Sequence, residues 1–524
     1  MLDLFRPQSP ESAQRLSGTV VVGARRLVIE DVVAVSRRRA VAMTDDPEWA
    51  DRITAGAEFL RSLLRGGATI YGVNTGYGEA CAVPVPPGLV NELPVQLLRF
   101  LGCGMGEIFN AEETRAVMLS RLNSLAQGYS GVRREVLDRL ALFLNLDVLP
   151  RIPAEGSMGA SGDLVPLSYL ASTLIGEREV LFRGRVCPAA EALAALGVEP
   201  MELAPKEGLA LINGTAVMTG LACLAWHRAE QLTRLASRLT ALTVVALDGR
   251  PSHYDQMLFD AKPHIGQGQV AAWIRADLAG RPEPKESSVQ DPYSVRCAPH
   301  IIGVARDALG WMRRDIENEL NSANDNPLID AERECLLHGG NFYGGHVAFV
   351  MDCMKNCVSN LADLMDRQIA LLVDDKFSRG LPRNLNGADA HRAPINHGFK
   401  GVQIASSAWT AEALKLAMPA SVFSRSTEAH NQDKVSMGSI AARDCLRALT
   451  LTEQVAAAHL LVARQAVMLR LRGPGAQALT GEMAQCLEEL TLLCAPLRED
   501  RALDRELQAV TAWVRGGDMA LYGG

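Results

Sequence analysis

The segment Gly156-Ser157-Met158-Gly159-Ala160-Ser161-Gly162-Asp163-Leu164, just after Leu149-Pro150-Arg151-Ile152-Pro153, places glycine on both sides of an Ala-Ser pair. Glycine has no Cβ to block close backbone approach or positive φ, so Ala160-Ser161-Gly162 can form an unusually tight turn. In such a turn the nitrogen of Gly162 meets the carbonyl carbon of Ala160. Attack there with loss of two waters closes a five-membered ring and leaves the Cβ of Ser161 as an exocyclic methylene. The product is an electrophile, which no ordinary side chain supplies. The same residues also fit a plain Gly-rich turn entering a helix capped by Ser161 or Asp163. Taken alone, so short a motif does not choose between the two.

Other residues carry chemistry on expected loops. Ile70-Tyr71-Gly72-Val73-Asn74-Thr75-Gly76-Tyr77-Gly78 has an apolar start and three glycines, a loop that offers Tyr71 and Tyr77. Asn213 ends the apolar run of Leu209-Ala210-Leu211-Ile212, so a buried amide there is either a structural cap or a group aimed at a site. Arg281-Pro282-Glu283-Pro284-Lys285-Glu286 reads as a surface loop. It precedes Gln290-Asp291-Pro292-Tyr293-Ser294-Val295-Arg296, and Asn321 to Pro327 form a polar cluster with a proline stop.

The elements that position these residues are mostly helical. Val347, Val350, Met354, Val358, Leu361, Met365, Ile369 and Leu372 follow steps of three and four, one apolar stripe on a long helix. Met437 to Leu471 reads the same way, as do about 216–247 and 300–320, and long helices of this kind pack as a bundle. Pro94 to Leu146 is helical with breaks at Gly102-Cys103-Gly104 and Gly128. A helix is expected over Leu164 to Leu174 and a hairpin over Val180 to Val186. Thr19 to Val22 and Arg26 to Ile29 read as short strands. The fold class is therefore mainly α, with a mixed, loop-rich N-terminal catalytic region over 1–210 and long helices over 211–524.

Composition excludes several roles. At 48% hydrophobic and 22% charged residues the 524-residue chain is globular rather than disordered, and a net charge of −7 gives no reason to expect nucleic acid as a partner. Eleven scattered cysteines without a Cys-x-x-Cys pair suit reduced thiols in the cytoplasm. Met1 to Pro7 does not read as an export signal, and no run of about eighteen apolar residues suggests membrane insertion.

Five segments occurring in this order carry a resemblance: Tyr71 to Gly76, Gly159 to Leu164, Leu211 to Thr215, Gln290 to Arg296, and His430-Asn431-Gln432-Asp433. Together they resemble the aromatic amino acid ammonia-lyase family, which includes histidine, phenylalanine and tyrosine ammonia-lyases and the 2,3-aminomutases. The resemblance spans roughly residues 20 to 480 and implies an ammonia-lyase/fumarase-like fold. It implies that Ala160, Ser161 and Gly162 cyclise to 4-methylidene-imidazole-5-one (MIO), with no external cofactor or metal, and that the enzyme is a homotetramer whose active sites draw loops from three subunits. Tyr71 matches the catalytic tyrosine. A phenol with its ordinary pKa of ~10 is a poor base at neutral pH, so the site is expected to stabilise phenolate, for instance through positive helix ends. By the same resemblance Asn213 and Tyr293 hold the electrophile, Arg296 grips the substrate carboxylate in the bidentate manner of a guanidinium, and Gln290 and Asn326 contact the carboxylate and its network. Phe342 forms an aromatic wall, and Glu428, Asn431 and Gln432 form the far edge near the amine.

Substrate choice turns on a pair that appears here as Phe100-Leu101. Histidine ammonia-lyases typically show Ser-His at this point and many tyrosine enzymes His-Leu, whereas Phe-Leu resembles the phenylalanine ammonia-lyases. An apolar Phe100 leaves nothing to pair with a phenol or imidazole, and an unpaired buried polar group costs ~1–3 kcal/mol. Gly398-Phe399-Lys400-Gly401 and Ser426 to Gln432 point the same way, and Lys400 joins the substrate-binding candidates. The expected reaction is deamination of L-phenylalanine to trans-cinnamate and ammonia, with tyrosine deamination or a 2,3-aminomutase outcome as alternatives. Tyr77 replaces the phenylalanine of many members, and Asp433-Lys434-Val435-Ser436-Met437-Gly438 looks closer to bacterial lyases and aminomutases. Three other classes fit less well. A hydrolase lacks a Gly-x-Ser-x-Gly elbow. A metalloenzyme lacks His-Glu-x-x-His, with His338 and His346 in a Gly-rich segment. A helical scaffold leaves Gln290, Tyr293, Arg296 and the triplet unexplained.

Overall fold

All eight residues of the stripe from Val347 to Leu372 are buried on one helix, Gly345–Val373, because steps of three and four return to the same face. The computed structural model describes residues 18–284, 289–473, 477–517 and 519–522. The reading of Met1 to Pro7, and of Lys285 and Glu286 in the charged break, lies outside the described residues. The fold is mainly helical, with long helices at Ala216–Ala246, Ala298–Leu320, Gly345–Val373 and Gly438–Arg470. Two compact units divide the chain. The first takes residues up to Leu224, Arg313–Met351 and Pro419–Arg443, and the second takes Ala225–Met312, Asp352–Met418 and the residues from Asp444 onward.

Within the second unit, polar side chains in apolar helices find partners on neighbouring helices, as burial requires. Gln368 donates to Thr240 Oγ1 at 2.9 Å, Ser359 to the Ala413 carbonyl at 2.8 Å, and Thr452 to the Val358 carbonyl at 3.2 Å.

The first unit adds small sheets. Glu179–Phe182 and Arg185–Pro188 form the expected hairpin, with Leu149–Pro150 as the third strand of their sheet. Val20–Val22 is a strand, paired in parallel with Val41–Met43, whereas Arg26 to Ile29, also expected as a strand, is not one. Ile29 instead opens the helix Ile29–Ser36, where Asp31 accepts from the Val28 N–H at 2.9 Å. In the glycine break of the 94–146 tract the chain forms a strand, Met105–Ile108, pairing with Pro153–Glu155 and so fixing how the chain enters the Gly156 segment.

The Tyr71 loop is anchored by its apolar residues. Ile70 and Val73 pack with Leu60 and Ile329 in one buried cluster. Asn74 closes the turn, accepting from the Ile70 N–H at 2.7 Å and donating to the Ala68 carbonyl at 2.8 Å. Asn74→Ala removes both bonds, and we expect a stability loss of about 1–3 kcal/mol, read as a lower denaturation midpoint, together with reduced turnover as Tyr71 loses its fixed position.

Candidate active site

The first unit encloses a cavity of about 520 Å³, within the range of small-molecule sites. Eleven of the residues singled out from the sequence line it: Tyr71, Phe100, Leu101, Ala160, Ser161, Asn213, Asn326, Phe342, Glu428, Asn431 and Gln432. Gln290, Tyr293, Arg296 and Lys400 belong to the second unit and are not among its lining residues. Three of those four form a cluster of their own. Arg296 donates to Gln290 Oε1 and to the Asp291 carbonyl, both at 3.0 Å, with its guanidinium 4.7 Å from the ring centre of Tyr293, which is 72% exposed.

The triplet is held in an uncommon backbone conformation. Ser161 has φ of 50° and Gly162 has φ of 79°, both in the left-handed region. A Cβ on Gly162 would collide with the Gly214 carbonyl, so only glycine fits. The Gly162 N–H turns back to the Gly159 carbonyl at 3.4 Å, and the Asp163 N–H donates to the Gly214 carbonyl at 2.7 Å. Asn213 Nδ2 donates to the Ser161 carbonyl at 2.7 Å and Gln432 Nε2 to Ser161 Oγ at 2.9 Å. The other amide atom of Asn213, Oδ1, is buried with no partner among the described residues. A tight left-handed turn, a hydroxyl held by Gln432 and an orphan acceptor beside it all fit formation of MIO from Ala160, Ser161 and Gly162.

Asp163 does not cap its own helix, Leu164–Leu174. Its buried carboxyl accepts from Ser439, from Ser157 at 3.0 Å and from the Met218 N–H at 2.9 Å, so it sits at the positive end of Ala216–Ala246. Burial pushes this carboxyl up, and those hydrogen bonds hold it back.

Tyr71, which lines the same cavity, accepts a hydrogen bond from the Gly78 N–H at 2.9 Å and meets the His338 ring edge-on, centroids 6.4 Å apart. The expected stabilisation of phenolate is not found among the described residues. Burial pushes the Tyr71 phenol above its ordinary value, Gly78 offsets part of that, and Cys81 and Glu428 add to the rise. Glu428 packs so closely on Gly78 that a Cβ there would strike its carboxylate. Glu428, Ala429 and His430 all have positive φ, in a loop closed by Thr427 and Gln432, and such strain in non-glycine residues collects at functional sites.

Phe100 ends the helix Leu93–Phe100 and is 59% exposed, while the adjacent Leu101 is buried. Leu97, one helical turn earlier, shares their face and lines the cavity too, a signal that the spacing carried. The sequence reading weighed His338 only as a metal ligand, yet it lines the cavity, held where Asn326 Oδ1 accepts from the Gly339 N–H at 2.8 Å. Asp433, Lys434 and Val435 also line it, directly after Gln432. Tyr77, the second tyrosine offered by the loop, also lines it, as do Cys81 and Leu209.

The sequence model of a family described as "Aromatic amino acid lyase" matches residues 27–489. The histidine ammonia-lyase of Geobacillus thermodenitrificans is 37% identical over 498 residues, covering 94% of this chain and 95% of its own. Further curated relatives at similar identity bear the same name, from organisms such as Myxococcus xanthus, rather than the phenylalanine name that Phe100-Leu101 suggested. Among solved structures, the tyrosine aminomutase from Streptomyces globisporus superposes with a TM-score of 0.89 at 36% identity, covering 96% of this chain and 98% of its own. The Pantoea agglomerans phenylalanine aminomutase gives 0.88 at 31%, covering 95% and 99%. Among the described residues, no helix is long and apolar enough to cross a membrane.

Proposed function

The chain belongs to the aromatic amino acid lyase family, and from that premise we propose that it removes ammonia from L-phenylalanine without oxidation, giving trans-cinnamate. The observation that carries the reaction type is the strained Ala160-Ser161-Gly162 turn whose Ala160 and Ser161 line one cavity with Tyr71. The MIO group formed from that triplet supplies an electrophile for the substrate amine. Asn213 and Gln432 orient Ser161 through its carbonyl and hydroxyl. Tyr71 takes the β-proton, and Glu428, Asn431 and Gln432 face the amine. Phe342 and the apolar wall of Leu97, Phe100 and Leu101 receive the aryl ring.

Arg296 is the carboxylate partner, with Gln290 and Tyr293 beside it, and these residues and Lys400 reach the cavity from other copies in a homotetramer. If so, mixing two inactive variants, Tyr71→Phe and Arg296→Ala, under conditions that exchange subunits restores activity that neither has alone. No recovery in assembled hybrids would place the two roles in one chain. The eleven cysteines, all free thiols, support a cytoplasmic setting.

A second reading, histidine as substrate, is supported by the names of the curated relatives and by two polar groups in the cavity, Glu428 and His338. Purified protein incubated separately with phenylalanine, tyrosine and histidine, with arylacrylate followed by absorbance and β-amino acid by chromatography, decides between them. Phenylalanine is expected to give the highest kcat/KM. Turnover of histidine alone overturns that reading, and β-phenylalanine as the main product makes the enzyme an aminomutase. Phe100→His is expected to move the tyrosine-to-phenylalanine ratio of kcat/KM up by about tenfold or more, the effect of giving a buried phenol one partner. An unchanged ratio removes Phe100 from selectivity.

A further inference from the structure

We propose that Arg121 is a positioning residue for the self-cyclisation of Ala160-Ser161-Gly162, holding the peptide that presses on Gly162; this rests on the reading above that the triplet cyclises. Arg121 lies on Ala111–Leu125 with no exposed surface. Burying a guanidinium is unfavourable unless its charge and donors are used. Its Nη1 donates to the Asn213 carbonyl at 3.2 Å and to Asn324 Oδ1 at 3.3 Å, while Nε and Nη2 have no partner among the described residues. Nearby charges are the carboxylates of Asp325 and Asp163, and Asp325 is already paired with the buried ammonium of Lys206. Burial pushes the guanidinium down to about 10, which leaves it charged at neutral pH.

What this costly group touches explains its place. Asn213-Gly214 is held on one side by Arg121 and Asn324, so tightly that a Cβ on Gly214 would strike both. On its other side, the Gly214 carbonyl meets Gly162 and accepts from the Asp163 N–H, in a parallel bridge of Gly162 with Gly214. The Asn213 side chain reaches forward to the Ser161 carbonyl. One short segment, backed by Arg121, therefore contacts Ser161 and Gly162, two of the three residues of the ring.

Ring closure bonds the Gly162 nitrogen to the Ala160 carbonyl carbon. The Ala160 oxygen leaves as water with the amide protons of Ser161 and Gly162. The Ser161 hydroxyl leaves as a second water with the Ser161 α-proton. Nothing external is consumed, so the rate depends on how well the chain holds nitrogen against carbon. Losing the Arg121 contacts loosens that hold.

The test follows the tryptic peptide carrying residues 156–164 by mass spectrometry, with ultraviolet absorbance of the whole protein, in wild type, Arg121→Met and Arg121→Lys after fresh expression. Wild type is expected to be two waters lighter than its sequence. In folded Arg121→Met, with circular dichroism matching wild type, the rate of gaining the lighter mass is expected to fall by about tenfold or more, the scale of one lost charge-assisted hydrogen bond. Activity should fall in proportion to the lighter fraction, with KM unchanged. Where Arg121→Met does not fold, Arg121→Lys decides by the same measurement. Maturation at the wild-type rate in a folded variant overturns the proposal, as does failure of both variants to fold, which makes Arg121 a general folding residue. A wild type without the mass loss overturns instead the reading that the triplet cyclises.

Discussion

Ser161→Ala is expected to leave the protein folded and without lyase activity. Alanine has the same Cβ as serine and meets the same backbone demand at φ of 50°. The substitution deletes one oxygen, whose observed partner is Gln432 Nε2 at the cavity edge, so stability should change by no more than about 1–2 kcal/mol. Without a hydroxyl to leave, however, no second water is lost and no methylene forms. The kcat loss should exceed the roughly 10²–10⁴-fold typical of a missing acid–base group, because the electrophile itself is gone. Three measurements read it together: the denaturation midpoint, the ultraviolet difference spectrum of wild type minus variant, and arylacrylate formation. A variant that keeps turnover near that of wild type, or a flat difference spectrum, would remove the cyclised triplet from the mechanism and return the Gly156 segment to a plain turn.

How much of this was legible in the sequence follows from how local each signal is. The helix Gly345–Val373 could be read because eight residues repeat one spacing, and the hairpin Glu179–Phe182 with Arg185–Pro188 because a glycine turn separates two short apolar runs. The partner of Val20–Val22 could not: three-residue strands carry no periodicity, and Arg26 to Ile29 looks as strand-like as Val41–Met43 until tertiary pairing chooses. The strand Met105–Ile108 was hidden by the helical tract around it.

The site divides along the same line. Tyr71, Ser161, Asn213 and Gln432 stand in contiguous motifs, and all four line one cavity. His338 reaches that cavity only through tertiary packing, whereas Leu97 is legible from its helical spacing to Phe100 and Leu101. Arg121 was invisible as a functional candidate, since a charge inside a helical tract reads as a solvated face. Only the three-dimensional structure reveals that it is fully buried and backs the Asn213-Gly214 segment that meets Gly162. Phenolate stabilisation was expected from chemical need, yet burial around Tyr71 acts in the opposite direction.

Tyr71→Phe is expected to keep the fold and lose most of the turnover. Removing the phenol oxygen leaves the ring beside His338 and deprives the Gly78 N–H of its acceptor, so the fold should survive with a modest loss of stability. If Tyr71 takes the β-proton, kcat should fall by about 10²–10⁴-fold while the peptide carrying Ser161 remains two waters lighter, since Tyr71 makes no hydrogen bond to the triplet among those observed. The pH dependence separates a base from a packing residue. A phenol whose pKa is raised is mostly protonated at neutral pH, so the active fraction, and with it kcat/KM, grows as pH rises towards that pKa. The substrate amine also loses its proton in this range, in both proteins alike. The ratio of wild-type to Tyr71→Phe kcat/KM therefore isolates the phenol, and its logarithm should climb with a slope near one per pH unit. Parallel profiles would show that the phenol does not titrate in the rate-limiting step, and the proton would then have to be taken by another group of the same wall, with Glu428 the nearest carboxylate acting on Tyr71.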